Sequence, residues 1–361
     1  MLIINGAYGE GGGQILRTSL ALSTILQQPI RVENIRARRK NSGLAAQHLA
    51  SVRAAALICE AKVSGDALGS TSLTFEPQSD PIPGLYEFDV SEVRQGGSAG
   101  AATLVLQTVL LPLALAAGPS TVTLKGGTHV PWSPPFHYLH DVFLPTIRPL
   151  GFQATLELLA WGWYPAGQGE IRATIPGRDK TDASAKTVET IAEVRGALKQ
   201  IHGVAVASSL PAHIAQRIRN RAANLLDEAS LPHAIEPQRV RSVSPGAGIF
   251  LTAEYESAWA GFSALGEPGK PSEQVAQEAV DALLAFHHSG ARLDEHLADQ
   301  LILPLALSGQ SVNLSLERIS EHTRTNLWVV EQFLGPMAHI DYSQGIIQFM
   351  EKDEHFVLRF S

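Results

Sequence analysis

A glycine-rich segment near the N-terminus carries residue types suited to holding an anion. The run from Gly9 to Arg17, GEGGGQILR, joins a predicted strand to a predicted helix. Glycines permit positive φ and close backbone approach, and a helix N-terminus presents the positive end of its dipole. Arg17 lies one turn into this helix, where the dipole disfavours a cation unless an anion binds nearby. The pattern is neither a Walker A motif nor a dinucleotide fingerprint, so it indicates either a phosphate loop or a structural turn.

His322 is the candidate nucleophile of the chain. It lies in the segment SEHTRTN, where a predicted strand and loop pass into a helix, beside Arg324 and Asn326. A neutral imidazole near the positive end of a helix dipole is expected to stay unprotonated and able to attack. The pattern by itself leaves a packed or surface histidine as the alternative.

A basic run follows the glycine-rich segment. Residues 31–40, RVENIRARRK, hold five basic residues against the single Glu33. Across the whole chain, 28 Lys and Arg face 35 Asp and Glu, which gives a formal net charge of −7. This balance argues against a protein that coats nucleic acid through its bulk charge. The run is therefore either a solvated loop or a local patch for an anionic partner.

Ser98 offers a second kind of nucleophile. The run Gly96–Gly100 matches G-x-S-x-G, the pattern of a serine-hydrolase nucleophile elbow. A true elbow follows a strand directly, whereas the residues SEVRQ intervene here. The pattern therefore favours a helix cap or an anion loop, with a hydrolase as a remote alternative.

Two groups of histidines are candidate metal ligands. His137 and His140, with Asp141, share one helical face, and His287 and His288 end another predicted helix. Neither group has a third ligand at a diagnostic spacing, so the sequence does not predict a dedicated transition-metal site.

Composition limits the class of protein. The chain has 361 residues, of which 45% are hydrophobic and 17% charged, and at about 150 residues per domain this length suggests about two domains. The low charged share excludes disorder as the dominant state. Cys59 is the one cysteine, which cannot form an internal disulfide, and the N-terminus MLIINGAYGE has no basic segment leading into an apolar one. We therefore expect a cytoplasmic protein.

The stretch 101–117, AATLVLQTVLLPLALAA, is nearly long enough to cross a membrane. It contains Gln107 and Pro112, follows a Gly/Ser cluster and lacks basic flanks that would set an orientation. A helix that is apolar on all sides is also typical of the centre of a large globular protein. We therefore expect a buried core helix and no membrane partner.

An internal repeat is the strongest signal of architecture. Leu111–Leu115 and Leu303–Leu307 both read LPLAL, each after a glutamine, Gln107 or Gln300, and each before a short alternating strand. A second helical segment follows both copies, and the N-terminal region has the same order of elements. We therefore predict an α/β fold with α+β layers, in which three βαβαββ units form the core.

The segment between the second and third units has a different character. After the polar stretch GRDKTDASAK, strands are predicted at VETIAEVRG, KQIHGVAVAS, QRVRSVS and GIFLTAEYE, with two long helices. About 100 residues are enough for a core of their own. The predicted domains are 1–183 for the first two units, 184–288 for a smaller inserted α/β domain, and 289–361 for the third unit.

Several long motifs, in this order, resemble one known family. They are GAYGEGGGQILRTSLALS, IRARRKNSGLAAQHL, GGSAGAATLVLQTVLLP, WGWYPAGQGEI, EHLADQLILPLAL and SEHTRTNLWVVEQFL. Together they are similar to the RNA 3'-terminal phosphate cyclase family over most of the chain. The resemblance implies three βαβαββ repeats with an inserted domain, and ATP-dependent conversion of an RNA 3'-phosphate end to a 2',3'-cyclic phosphate.

The resemblance also implies roles for individual residues. His322 becomes the nucleophile that forms a covalent adenylate, with ATP as substrate, and Glu10 a ligand of Mg²⁺ or Mn²⁺. The nucleotide pocket falls on Gln107, Pro134, His296, Asp299 and Gln300. Contacts to the RNA end and its phosphate fall on Gln14, Arg17, Arg36, Arg39 and Gln47.

Two positions depart from the family signature. In WGWYPAGQG, Trp161 stands where the family has a basic residue, and Gln168 where it has the middle glycine of three. Some relatives are non-catalytic ribosome-assembly proteins that have lost the histidine. Retention of His322 and Glu10 favours the active branch, and a non-catalytic RNA-binding relative is the alternative. The sequence does not predict an oligomeric state.

Overall fold

The structure is a computed structural model that describes residues 1–90, 100–178 and 191–352. Helices and small sheets alternate along these ranges, which confirms the predicted α/β class. The predicted domain boundary between residues 183 and 184 lies outside the described residues, as does Ser98. The domain limits therefore stay a prediction.

The first sheet positions the glycine-rich segment. Strands β1 and β2 pair in parallel, β2 pairs antiparallel with β4, and β4 antiparallel with β3, which gives the order β1-β2-β4-β3. The elements are β1 (Leu2–Asn5), α1 (Gly13–Leu26), β2 (Ile30–Glu33), α2 (Ala46–Ile58), β3 (Lys62–Ser64) and β4 (Leu73–Glu76).

The second sheet has the same pattern of pairing, in the order β5-β6-β8-β7. Its elements are β5 (Leu85–Asp89), α3 (Ala102–Ala114), β6 (Ser120–Gly126), α4 (Phe136–Tyr138), a π-helical turn (Leu139–Phe143), α5 (Leu144–Ile147), β7 (Thr155–Ala160) and β8 (Gly169–Ile175).

The inserted segment forms its own sheet, in the order β10-β9-β11-β12, with its own buried cluster beneath two helices. Its elements are β9 (Leu198–Ser208), α6 (Ala212–Glu228), β10 (His233–Val240), β11 (Gly246–Tyr255), β12 (Trp259–Leu265) and α7 (Ser272–Ser289). The prediction of a strand at VETIAEVRG is wrong for residues 191–196, the part of this segment that the structure describes, because these residues form no strand. There Arg195 bonds to the carbonyls of Phe286, His287 and Ala291, which holds the segment as a loop against α7.

The third sheet has three strands, in the order β13-β15-β14. One isolated parallel bridge, Leu293 to Leu316, stands where the other two units have their first strand, so the predicted βαβαββ pattern is incomplete here. The elements are α8 (Glu295–Ser308), β13 (Val312–Ser315), α9 (Glu321–Leu334), β14 (Ala338–Asp341) and β15 (Ile346–Phe349).

The largest buried cluster joins α3 and α8 to the second and third sheets. Every residue of α3 except Gln107 is buried, which confirms the predicted core helix. Over the residues described here, we find no helix with the length and apolar character that a membrane crossing requires. Helix α1 packs on α3 and α9, and α9 on α8, so residues from all three units meet.

Candidate active site

The glycine-rich segment turns sharply between β1 and α1, as its sequence predicts. Gly9 and Gly11 have positive φ, at 52° and 61°. A Cβ at Gly9 would overlap the Thr325 hydroxyl of α9, so glycine is needed there for close approach as well as for conformation. The turn therefore brings residues 8–10 directly against the N-terminal half of α9.

Glu10 and His322 form the centre of the site. His322 Nδ1 lies 2.7 Å from Glu10 Oε1, and the other carboxylate oxygen, Oε2, accepts a hydrogen bond from Arg39 Nη2 at 3.1 Å. The Glu10 side chain is largely buried, whereas those of His322 and Arg39 are about half exposed. A carboxylate at Nδ1 favours the tautomer with its proton on that nitrogen, which leaves the Nε2 lone pair available.

The pKa of His322 is raised above its ordinary value, first because of the adjacent carboxylate of Glu10 and also because of the negative charge of Asp299. This shift is opposite in direction to the one that the helix dipole alone would cause. A full carboxylate charge 2.7 Å from Nδ1 outweighs the partial charge of a helix terminus. Glu10 thus both orients the ring and makes it more basic.

Arg17 is a partly buried cation without a carboxylate bound to it. Its Nη2 donates to Gln14 Oε1 at 2.7 Å, and its buried Nε has no hydrogen-bond partner. Burial lowers the pKa of Arg17 to about 10, against the opposing effect of Glu10. Because a buried cation with an unsatisfied donor is costly, this arrangement is suited to an incoming anion.

His48 lies beside Arg17. The sequence alone does not predict a role for it. It is 4% exposed, and its Nδ1 accepts a hydrogen bond from Ala45 N at 3.1 Å, which places the proton of the neutral ring on Nε2. Burial first, and then the charges of Arg17 and Arg36, lower its pKa to about 3. His48 is therefore neutral at physiological pH and adds no charge beside the arginines.

Replacing Gly13 by alanine is expected to disrupt this corner. The new Cβ would overlap His48 Nε2 and lie 2.9 Å from Arg17 Nη1, and overpacking of this kind costs about 1–3 kcal/mol. We expect a lower melting temperature. Gly84→Ala is the matched control, because its Cβ would meet only the Tyr86 ring at 3.7 Å. Equal behaviour of both variants would contradict the tight packing at Gly13.

The basic run and the start of α2 carry the other residues predicted to contact the RNA end. Arg36 has positive φ, and its Nη1 donates to Gly43 O at 3.0 Å. Burial and the nearby Arg39 lower the pKa of Arg36. Gln47, at the start of α2, accepts a long contact of 3.5 Å from Ala101 N, at the N-terminus of α3. Arg36 and Arg39 thus form a positively charged rim on the Glu10 side of the site.

Asp299 organises the start of α9. Its Oδ1 accepts hydrogen bonds from the hydroxyls of Ser320 at 2.6 Å and Thr323 at 2.5 Å. Asn326 then donates to Asp299 O at 2.7 Å and accepts from the Thr18 hydroxyl at 2.6 Å. Burial raises the pKa of Asp299, an effect that the two hydroxyl bonds oppose. The network ties α8, α9 and α1 together around His322.

Gln107 and Gln300, the repeat-related glutamines, meet in the structure. Gln107 Nε2 donates to Gln300 Oε1 at 2.6 Å, although 193 positions separate them in sequence. They line a small cleft that is open to solvent. The other polar residues that line the cleft are Gln14, Arg17, Thr18 and Asn326. Two predicted nucleotide residues and two predicted phosphate residues therefore share one cleft.

His296, on α8 of the third unit, and Pro134, in the second unit, are connected through Tyr138. Asp294 caps α8 by accepting from His296 N at 3.0 Å, and its Oδ1 also accepts from the Tyr138 hydroxyl at 2.7 Å. The rings of Tyr138 and His296 are 6.3 Å apart. Pro134 lies in the turn just before α4, which carries Tyr138, so it is linked to His296 through that helix.

Trp161 and Gln168, the two positions that depart from the family signature, each have a distinct structural setting. Trp161 stacks on His129 with ring centroids 4.3 Å apart, and His129 Nε2 lies 3.0 Å from His137 Nδ1. Phe250 of β11 stacks on His137, which joins this cluster to the inserted segment. Gln168 has φ 52°, a left-handed conformation that glycine adopts more easily.

The buried histidines predict acid sensitivity. Burial lowers the pKa of His137 to about 4, against the opposing charge of Asp141. Burial, and then the neighbouring His137, lower the pKa of His129 well below its ordinary value. The unfolded chain then binds protons first as pH falls below the ordinary value of 6.5, so the free energy of unfolding decreases by about 1.4 kcal/mol per pH unit for each such histidine. In urea titrations at several pH values, His137→Asn is expected to reduce this slope. An unchanged slope would contradict a neutral His137.

Metal binding is not built into the described residues. Within ranges 1–90, 100–178 and 191–352, no three or more His, Cys, Asp and Glu side chains are placed to hold a metal ion. Glu10, the predicted ligand, accepts a hydrogen bond from Arg39 through Oε2, whereas its buried Oε1 lies 2.7 Å from His322 Nδ1 without a hydrogen-bond partner. A single carboxylate whose buried oxygen lacks a hydrogen bond suits a cation that arrives with phosphate oxygens rather than one held by the protein alone, and we assign no chemical step to a metal.

The fold and this site are those of an α/β enzyme, and comparison with known proteins identifies its family. Residues 8–340 match the family model described as "RNA 3'-terminal phosphate cyclase". The chain therefore belongs to the RNA 3'-terminal phosphate cyclase family.

Curated relatives of that name agree. The protein of Gloeothece citriformis (strain PCC 7424) is 52% identical over 341 residues, covering 94% of this chain and 95% of the relative. That of Methylococcus capsulatus is 52% identical and covers 94% and 92% of the two chains. An archaeal relative, from Archaeoglobus fulgidus, is 38% identical over 348 residues, 96% of this chain and 100% of its own.

Proposed function

We propose that this protein uses ATP to convert an RNA 3'-terminal phosphate into a 2',3'-cyclic phosphate, through a covalent AMP adduct on His322. The observation that carries the proposal is the half-exposed imidazole of His322 with its Nδ1 held 2.7 Å from Glu10 Oε1. This contact leaves Nε2 as the free nucleophile at the N-terminus of α9, within a site whose cations suit phosphate. Membership of the cyclase family supports the reaction.

In the first step, His322 Nε2 attacks the α-phosphorus of ATP, and the bond to pyrophosphate breaks. The Nδ1 proton stays on the ring, and the carboxylate of Glu10 beside it stabilises the positive charge that develops there. Arg17 faces the cleft with an unpaired Nε and supplies charge for phosphate oxygens. Gln107 and Gln300 border the same cleft and hold the nucleotide, together with Pro134, His296 and Asp299 on the α4 and α8 side.

In the second step, an oxygen of the RNA 3'-phosphate attacks the adenylate phosphorus and His322 leaves. Arg36 and Arg39 hold the RNA phosphate, since arginine can make paired contacts with its oxygens. Gln14 and Gln47 complete this part of the site. The neighbouring 2'-OH then attacks the activated phosphate and AMP leaves, a ring closure that gains up to about 7–11 kcal/mol from proximity.

A divalent cation belongs to the proposal as a companion of the nucleotide. Mg²⁺ is usually held by one or two carboxylates together with phosphate oxygens, so Mg²⁺ or Mn²⁺ would arrive with ATP and take Glu10 as its protein ligand. When bound, such an ion supplies charge neutralisation for the phosphates.

The experiment compares matched oligonucleotides that carry a 3'-phosphate on a terminal ribose or a terminal deoxyribose, at fixed salt. With ribose we expect a 2',3'-cyclic end, whereas deoxyribose should accumulate an AMP-capped end because the attacking 2'-OH is absent. Short and long oligonucleotides should react similarly, since recognition is centred on the terminal phosphate. A cyclic product from the deoxy end, or strong dependence on internal sequence, would contradict the proposal.

The same assay separates the alternatives. A non-catalytic RNA-binding protein would bind both oligonucleotides and convert neither. A serine hydrolase would lose an esterase activity in Ser98→Ala, whereas the proposed enzyme keeps adenylyl transfer in that variant.

A further inference from the structure

Three consecutive residues of the glycine-rich turn each meet one residue of α9. Tyr8 stacks on Trp328, with ring centroids 3.9 Å apart and planes 11° from parallel. Gly9 packs so closely against Thr325 that a Cβ would overlap its hydroxyl. Glu10 Oε1 lies 2.7 Å from His322 Nδ1. The turn therefore runs antiparallel to the helix, with one contact for each of its residues.

The spacing on the helix explains why these contacts align. Positions 322, 325 and 328 are three apart and share one face of α9. Three helical residues advance by about 4.5 Å, so the three contacts are spaced evenly along α9. Sliding the turn by one residue would replace Glu10 at His322 with glycine, because Gly9 and Gly11 are its neighbours. The register of the turn on α9 thus decides whether His322 has a carboxylate partner.

Of the three contacts, the stacked pair of Tyr8 and Trp328 lies farthest along α9 from His322. The backbone bonds of the turn, Tyr8 N to Asn5 O at 3.1 Å and Gly11 N to Tyr8 O at 2.8 Å, fix its shape but do not connect it to α9. Tyr8 is 40% exposed, so its ring makes a small contribution to the core. Its stacking on Trp328 is instead placed to set where the turn lies along the helix.

We propose that the Tyr8–Trp328 stack is a positioning pair that holds Glu10 against His322 by fixing the register of the glycine-rich turn on α9. The inference rests on the proposed function, in which Glu10 orients the nucleophile. Tyr8 itself touches no reacting atom, and it acts through Glu10.

The test is a double-mutant cycle on the first chemical step. Single-turnover formation of protein-AMP should fall about tenfold in Tyr8→Ala with the KM for ATP unchanged, and Tyr8→Phe should restore it, because the stacking face is retained. In a Glu10→Ala background, Tyr8→Ala should cause little further loss, since its effect passes through the missing carboxylate. Tyr86→Ala is the matched control, because Tyr86 also stacks on an aromatic ring, Phe88, but in β5.

A second readout does not require activity. In nitrogen NMR spectra of labelled histidine, the His322 imidazole signal should move in Tyr8→Ala towards its position in Glu10→Ala, and stay in place in Tyr8→Phe. Full additivity of the two losses, or an unmoved signal in Tyr8→Ala, would overturn the positioning role. Absence of protein-AMP in the wild-type protein would instead contradict the proposed function, and the NMR comparison alone would then decide the inference.

Discussion

Protein carrying His322→Asn is expected to form no covalent AMP adduct and to lose cyclase activity by roughly 10⁴-fold or more, as for other removed nucleophiles. Asparagine keeps a polar group near Glu10 but has no ring nitrogen to attack phosphorus. Because the His322 side chain is about half exposed, the variant should fold normally. The measurement is transfer of label from α-labelled ATP to protein, with circular dichroism and melting temperature as checks of folding.

His339→Asn is the matched control, since His339 is an exposed histidine on β14. It should take up label as the wild-type protein does. If His322→Asn were labelled at wild-type yield, the nucleophile would lie elsewhere, with His296 the next candidate to replace.

Charge removal at Arg39 should separate the two chemical steps. Arg39→Ala is expected to retain much of its His322 adenylylation but to lose transfer to RNA by between about 10-fold and about 150-fold, since hydrogen bonds to charged groups contribute about 1.5–3 kcal/mol. The reason is that the Arg39 guanidinium is half exposed on the rim, whereas Arg17 remains in the cleft. The two steps are measured separately, as protein labelling and as conversion of a 3'-phosphate oligonucleotide.

Binding gives the control for this prediction. Arg39→Ala should weaken binding of a 3'-phosphate oligonucleotide more than that of its 3'-hydroxyl twin. Arg31→Ala should leave both steps unchanged, because Arg31 lies on β2 and pairs with Glu33 at 2.8 Å. Equal loss for both oligonucleotide ends would instead indicate a general patch for the RNA backbone.

Local patterns in the sequence predict the elements that carry the site. The glycines between β1 and α1 and the apolar stretch that forms α3 both follow from short-range rules. The two LPLAL segments correctly direct attention to Gln107 and Gln300, whose pairing the structure then shows. Turns and helix starts can be predicted from the sequence because the local backbone conformation there favours particular residue types.

Contacts between distant segments account for what the sequence does not predict. The pKa of His322 depends on Glu10, more than 300 positions earlier, and local reasoning from the helix dipole gives the wrong direction. The local sequence gives His48 no special role, because its burial beside Arg17 arises only when α2 packs in the folded protein. The sequence does not predict strand β12, because this strand depends on its antiparallel pairing with β11 rather than on a local pattern.

The most direct test of the account is the chemistry of the bond between AMP and protein. After incubation with α-labelled ATP and denaturation, the label should remain on the peptide that contains His322, stable in alkali and lost in acid, as a phosphoramidate is. Label in a bond that alkali cleaves, label on a different residue, or no protein-bound label at all while RNA is still cyclised would contradict a histidine adenylate at His322.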